Sequence, residues 1–374
     1  SSEFGTALGV STSGNDVVGR HLWAAQGQVF VDDARFEGGV GYLFRGLGNP
    51  SLGVSAFQEW SDRGRFEVTG PGGVPVVSDL LQRERAVTGV ATFTRPRFRS
   101  FTWLSLGANL RQRFFQWADP ALAEEIDSPD DVGAIATLGT TTASAYDFSI
   151  SLQDGFLAAA TVEGRRFLRP FEGETRPRGY LRVAGRTQAY HGFDAWGYGK
   201  HVLALRGVGG ADFGSRTPFF SAGGITGDAV ATPLSTGFGL GQTRDLFVRG
   251  WPSGSQFGDR AVAGTAEWRF PLLRVERGVG LIPVFVNRFW GTAFVDAGTA
   301  WCAEQCNVDL GRLFPDPDPM VSVGTELGGD FLLFFNAAYR VRAGVALPVT
   351  RAVTARGFRE RPSPKLYFTL GQAF

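Results

Sequence analysis

The stretch LFVRGWPSG (246–254) holds an arginine whose surroundings do not suit a plain surface charge. Gly250 and Pro252 make the segment a loop, yet Arg249 is wrapped in Leu246, Phe247, Val248 and Trp251. A guanidinium stays charged and presents a planar fork that fits a carboxylate. Its chemistry is therefore ion pairing, either with water as a solvated loop charge or with acidic residues elsewhere in the fold. Other reactive residues are few. The three histidines, His21, His191 and His201, have no metal-motif spacing, and no G-x-S-x-G elbow is present. They read as loop or rim residues; no enzyme activity and no cofactor are expected. Cys302 and Cys306 are spaced for a disulfide or for half of a metal site, and no other cysteine or nearby histidine completes the latter. So short a ring adds little global stability. The acidic stretch ADPALAEEIDSPDD (118–131) reads as a solvated loop, with a divalent-cation site as the alternative.

The elements that must carry these residues have a period of two. In Arg260–Leu272, Val262, Gly264, Ala266, Trp268 and Phe270 share one face, and Ala263, Thr265, Glu267 and Arg269 the other. In 337–347, Tyr339, Val341, Ala343, Val345 and Leu347 alternate with Arg340, Arg342, Gly344 and Ala346. Such runs exceed the ~5–6 residues of an ordinary strand. They suit membrane-crossing strands of ~9–11 residues, apolar side chains outward and polar ones inward. Charges of both signs on the polar faces fit a wet lumen and not a sandwich core.

The pattern predicts an all-β fold, a transmembrane antiparallel β-barrel of about sixteen strands. The predicted strands are 4–12, 20–32, 34–46, 51–62, 83–95, 99–115, 132–143, 155–167, 178–190, 199–212, 217–225, 260–271, 288–301, 320–330, 335–349 and 364–374. The stretch 63–82 is too long for a hairpin turn and leaves room for further pairing. Long connections fall at 116–131, 226–259, 302–319 and 350–363. Trp23, Trp60, Trp103, Trp117, Trp290 and Trp301 lie near strand ends, where interfacial girdles form.

Composition agrees. Gly is 52 of 374 residues, about twice the ~7% average, as long β chains with many turns require. A net charge of +1 argues against a nucleic-acid partner. No apolar run approaches the ~18 residues of a membrane helix, and SSEFGTALGV lacks the basic start and apolar core of a signal peptide.

Four motifs follow one another in the second half: VRGW (248–251), GTAFVDAGTAW (291–301), SVGTEL (322–327) and the closing LYFTLGQAF. Their order resembles the surface-antigen outer-membrane barrel superfamily, which includes the assembly factor BamA and the two-partner-secretion transporters. The likeness covers about 217–374; the first half fits by strand pattern alone. It implies that the loop bearing Val248, Arg249, Gly250 and Trp251 folds into the lumen, and that Phe368, Leu370 and Phe374 form a C-terminal targeting strand. It also implies a weak seam between Phe4–Ser11 and Lys365–Phe374. Relatives carry periplasmic POTRA domains. Here Phe4 already starts a strand, so residues 1–374 are expected to form one barrel domain with no POTRA domain.

Alternation supplies the partners of Arg249. Asp296 shares the inward face of 288–301 with Phe294 and Gly298, and Glu326 the inward face of 320–330 with Ser322 and Gly324. Glu267 is the next candidate. In a wet lumen, losing Arg249 is expected to cost about 1–2 kcal/mol. The resemblance implies a bacterial outer-membrane location and a role in inserting or translocating proteins, or in anchoring a periplasmic domain. Expected partners are membrane lipid and lipopolysaccharide, with client or periplasmic proteins. The alternatives are a structural barrel subunit of an envelope complex and a passive pore.

Overall fold

The computed structural model describes residues 7–31, 35–70, 74–122, 126–146, 148–171, 173–214, 220–224, 245–280, 282–303, 316–333, 337–354 and 358–372. Ten wall strands come first: β1 (Ala7–Asn15), β2 (His21–Phe30), β3 (Phe36–Phe44), β4 (Ser51–Thr69), β5 (Pro75–Arg97), β6 (Ser100–Trp117), β7 (Ile126–Thr141), β8 (Gly155–Phe167), β9 (Gly179–Phe193) and β10 (His201–Gly214). Three short strands follow: β11 (Phe220–Ala222), β12 (Asp245–Leu246) and β13 (Gln256–Gly258). The wall resumes with β14 (Arg260–Val279), β15 (Ile282–Trp301), β16 (Met320–Leu333) and β17 (Ala337–Pro348). The small pair β18 (Ala352–Val353) and β19 (Arg359–Glu360) precedes the last wall strand, β20 (Lys365–Gln372).

Among the described residues the wall is one 15-stranded antiparallel sheet in chain order, from β1 to β20. The connections 215–259, 302–319 and 349–364 leave one end, the long-loop end; 98–99, 280–281 and 334–336 leave the other, the short-turn end. Alternation sorts the side chains as an inverted protein. Leu203, Leu205, Val262, Val295, Leu327 and Phe368 are exposed on the outer face, while Arg111, Asp131, Arg182, Asp212, Asp296 and Glu326 are buried on the inner one. An apolar exterior of this extent would be an aggregation surface in water; it suits contact with lipid tails.

Several expectations change. Of the expected strand 217–225 the described residues are 220–224, and they do not join the wall. Among them Phe220–Ala222 is extended, and it pairs with β12 and β13 in a separate three-stranded sheet. β10 pairs directly with β14, from Val202↔Arg269 to Ala211↔Arg260. The alternating residues of β11 face a packed cluster with Val248, Trp251 and Ala300 rather than lipid. The spare length of 63–82 is strand: β4 and β5 stay paired out to Thr69↔Pro75. The connection read as 116–131 shrinks to 118–125, because β6 reaches Trp117 and β7 starts at Ile126. Trp290 is not a girdle residue; it is buried beside Ile150 and Val202 inside the barrel.

The direct β10–β14 pairing is testable. Leu205 and Ala266 are opposite neighbours on the outer face, and opposed residues on paired strands lie ~4.5–5.5 Å apart, within disulfide reach. Leu205→Cys with Ala266→Cys, in a Cys302→Ser, Cys306→Ser background, should cross-link on mild oxidation. Failure of that pair, beside success of Ala25→Cys with Val40→Cys on β2 and β3, would put a strand between them.

Candidate functional site

Three wall strands supply the floor of the site: β14 carries Glu267, β15 carries Phe294, Asp296 and Gly298, and β16 carries Glu326. Register makes them neighbours, with Glu267 opposite Phe294 and Asp296 opposite Ser322. The period-two pattern turns all these side chains inward. The connection 215–259 then lowers Arg249 onto them.

The guanidinium is fully engaged. Its Nε donates to Asp296 Oδ2 at 2.7 Å and its Nη2 to Asp296 Oδ1 at 2.8 Å, a bidentate pair. Nη1 donates to Glu326 Oε1 at 2.9 Å, and Nη2 also donates to Glu267 Oε1 at 2.9 Å. The backbone N–H of Arg249 adds a bond to Asp296 Oδ2 at 3.1 Å. Beneath the fork lies the Phe294 ring, its centroid 3.5 Å from the guanidinium carbon. The carboxylates have further donors: Arg269 binds Glu267, and the Tyr367 hydroxyl donates to Glu326. Arg342 approaches Glu326 at 3.9 Å. Burial opposes the charge on Arg249, but Asp296, Glu267 and Glu326 outweigh that cost and hold its proton above the ordinary arginine range.

Arg249 is 3% exposed and Asp296 0%. The dock is dry, so the wet-lumen figure does not apply, and removing one partner falls in the range of about 3–5 kcal/mol for a broken buried pair. Small residues let the loop come this close. Gly250 has a φ of 91°, and a Cβ there would press on Ala346 and Pro348 at 3.2–3.3 Å. A Cβ on Gly298 would lie 2.7 Å from Val248 Cγ2, and one on Gly324 would strike the Phe294 ring at 2.4 Å. Val248 and Trp251 are fully buried beside the dock.

Two further sets of contacts tie the connections to one another and to the wall. Gln256 of β13 donates to the carbonyls of Asp318 and Val353 at 2.8 and 2.9 Å, tying together the three long connections. At the short-turn end, the connection 142–154 packs against the inner face of β10 and β15. Its Ile150 packs on Val202 of β10 and Trp290 of β15, and the Ser149 carbonyl accepts a bond from Arg288.

Sequence reasoning missed a second charged network on the first half of the wall. Asp131 of β7, placed by sequence in a solvated acidic loop, is fully buried and binds Arg111, Arg113 and Arg165. On β9 and β10, Arg182 grips Asp212 through two bonds and stacks 4.6 Å from the Phe220 ring of the inserted loop. The signal was present: Asp131 has the parity of inward-facing Gly133 and Ile135.

Among the other expected residues, Phe368 is exposed on the outer face and Leu370 is paired with Val341. Phe374 and Cys306 lie outside the described residues; Cys302 directly follows β15.

An antiparallel barrel wall with an inserted, charge-docked loop defines a class of transmembrane barrel. The chain superposes on CdiB from Escherichia coli with a TM-score of 0.60 at 13% identity, over 100% of this chain and 60% of that one. BamA from Haemophilus ducreyi lacking POTRA domains 1–3 matches with a TM-score of 0.47 at 14% identity, over 98% and 69%. CdiB from Acinetobacter baumannii matches at 0.49 and 12%, over 98% and 59%. The first likeness shows the fold. No protein-family model and no curated protein matches the chain.

Arg249→Ala should lower unfolding stability by about 3–5 kcal/mol and expose the connection 215–259 to protease in the assembled barrel. Unchanged stability with an unchanged digestion pattern would mean that the contacts carry no energy.

Proposed function

We propose that this chain is an outer-membrane β-barrel that moves polypeptide into or across the membrane, with no bond chemistry of its own. The observation that carries the reading is the docked loop: an arginine bound by three carboxylates on adjacent wall strands holds the connection against the inner face, where a diffusion pore would leave open space. The CdiB-like fold supports a secretion or insertion role, and the apolar outer face supports lipid as its surroundings. The chain spans 60% of the CdiB chain it matches, so the client and the periplasmic partner belong to this proposal. Lipopolysaccharide is the expected lipid partner at the long-loop end. Phe368, Leu370 and Phe374 are read as the targeting strand. An anchor for a periplasmic domain, or a structural subunit, is the second reading; the docked loop favours either over a passive pore.

Depletion in the native cell tests the role. Outer-membrane barrel proteins or secreted proteins should fall severalfold in quantitative proteomics before cell lysis begins. Normal levels of both in depleted cells would leave only the anchoring or structural reading.

The loop docked at Arg249 and the connection packed at Ile150 are read as plugs, and they predict low, flickering conductance in planar bilayers. Ile150→Gly combined with Arg249→Ala should raise it severalfold, because both plugs then loosen. A large steady ohmic conductance in the unaltered protein would favour a pore.

Cys302 and Cys306 are proposed to be joined in the mature protein. Mass spectrometry of unreduced peptides should find them in one bridged fragment, and two free thiols would refute the pairing.

A further inference from the structure

Arginines on the inner face, such as Arg111, Arg182, Arg249 and Arg288, each meet a carboxylate. Five others do not. Arg20, Arg45, Arg95, Arg97 and Arg99 are exposed, and among the described residues none of them has an acidic partner. All five gather at the short-turn end, on or beside three consecutive turns. These are 16–20 between β1 and β2, 45–50 between β3 and β4, and 98–99 between β5 and β6.

The three turns make one surface. The Arg45 N–H donates to the Arg20 carbonyl at 2.7 Å, so two like charges stand side by side. Asn49 ties the second turn to the β5–β6 hairpin: its Nδ2 donates to the Thr94 carbonyl at 3.1 Å, and its Oδ1 accepts from the Thr94 N–H at 3.0 Å. That hairpin stays paired to its tip, at Arg97↔Ser100, where the chain reads RPRFR (95–99). Asp16, the one acid on the three turns, is engaged, since its Oδ1 accepts from the His21 N–H at 2.8 Å. Neighbouring like charges without a counter-charge are destabilising, so the surface calls for an anion from outside the chain.

Apolar side chains stand among these arginines. Phe98 is 95% exposed at the hairpin tip, and Val17, Val18 and Leu47 are exposed on the other two turns. Basic residues interleaved with bulky apolar ones suit the boundary between lipid headgroups and tails. Position agrees. Arg95 and Arg97 keep the parity of Phe93, which is exposed on the outer face. At ~3.3–3.4 Å per residue they lie about 7 and 13 Å past it along the strand, where lipid tails give way to headgroups. On β2 and β3 the opposed pair Trp23 and Tyr42 is exposed on the same outer face, as aromatic residues of a membrane interface are.

We propose that this surface binds the phosphate of an anionic phospholipid, in the leaflet at the short-turn end. The inference rests on the reading of the chain as a membrane barrel. A guanidinium offers phosphate oxygens the same fork that it offers a carboxylate. Five arginines with one engaged acid select a headgroup of net negative charge over a zwitterionic one, which brings an ammonium group with its phosphate. Lipid is favoured over an acidic polypeptide because Arg95 and Arg97 continue the face that already meets lipid. Headgroups held there would fix the depth of β1–β6 in the bilayer.

Competition between lipids is the test, on the full-length protein in detergent. Equimolar phosphatidylglycerol and phosphatidylcholine are added, and native mass spectrometry reads the first bound lipid. A preference for phosphatidylglycerol of about fivefold is expected, the effect of one basic contact near a lipid surface. Arg95→Gln, Arg97→Gln and Arg99→Gln together should bring the ratio close to one. Arg178→Gln, an exposed arginine of the connection 168–178 at the other end, should leave it unchanged. An equal fall in both variants would mean diffuse charge and overturn the site. Inorganic phosphate in excess should not displace the lipid; displacement would assign the surface to free phosphate. Polyglutamate bound in place of the lipid would assign it to an acidic polypeptide, and either result overturns the proposal. Should the triple variant fail to fold, salt decides on the unaltered protein. The preference should vanish near 1 M, where charges are screened beyond ~3 Å, and a preference indifferent to salt counts against arginine. Insertion into vesicles of the same lipids separates two failures. A chain that never inserts refutes the barrel reading and this site with it; a chain that inserts but shows no preference refutes the site alone.

Discussion

The structure depends on one buried arginine. Arg249 brings a fixed positive charge to a place on the wall where Glu267, Asp296 and Glu326 converge. Three inward carboxylates on adjacent strands would repel one another in a dry lumen, and the wall tolerates them because Arg249, Arg269 and Arg342 face them. The dependence runs both ways. The loop cannot bury a guanidinium without those carboxylates, since an unpaired buried charge costs far more than loop ordering recovers. Loop and wall are therefore one electrostatic unit.

That unit explains the spacing of Phe-x-Asp-x-Gly in β15. The three residues share the inward face and make three contacts with one loop: Phe294 lies under the guanidinium, Asp296 takes its fork, and Gly298 leaves room for Val248. Gly324 on β16 in turn leaves room for the Phe294 ring. From this floor the seal spreads through Trp251 and Gln256 to the other long connections. At the other end Ile150 packs separately against Val202 and Trp290. Passing anything large along this inner face would first require breaking the dock.

Much of this was legible in the sequence. Period-two alternation placed Asp296, Glu326 and Glu267 on inward faces, and a glycine-bearing apolar loop marked Arg249 as something other than a solvated charge. What was not legible has physical causes. The segment 217–225 alternates as a wall strand does, because packing against a lumenal cluster and packing against lipid demand the same pattern. Asp131 read as loop because polar residues beyond the membrane boundary can still be strand, and β7 runs past it. Trp290 lies near the start of the expected strand 288–301, as a girdle tryptophan would, but β15 begins at Ile282, which puts Trp290 mid-strand, and its parity points inward. The strap around Ile150 gives no local signal, since its partners on β10 and β15 are distant in sequence.

A double-mutant cycle on Arg249 and Asp296 tests the central claim most directly. Unfolding free energies of the parent, Arg249→Ala, Asp296→Ala and the double variant are compared in the same lipid. Residues acting as one buried unit should show a coupling near the upper end of the ~0.5–3 kcal/mol seen for contacting pairs, the double variant being little worse than either single one. Additivity within ~0.5 kcal/mol would contradict the account, since it would mean that loop and wall do not hold each other.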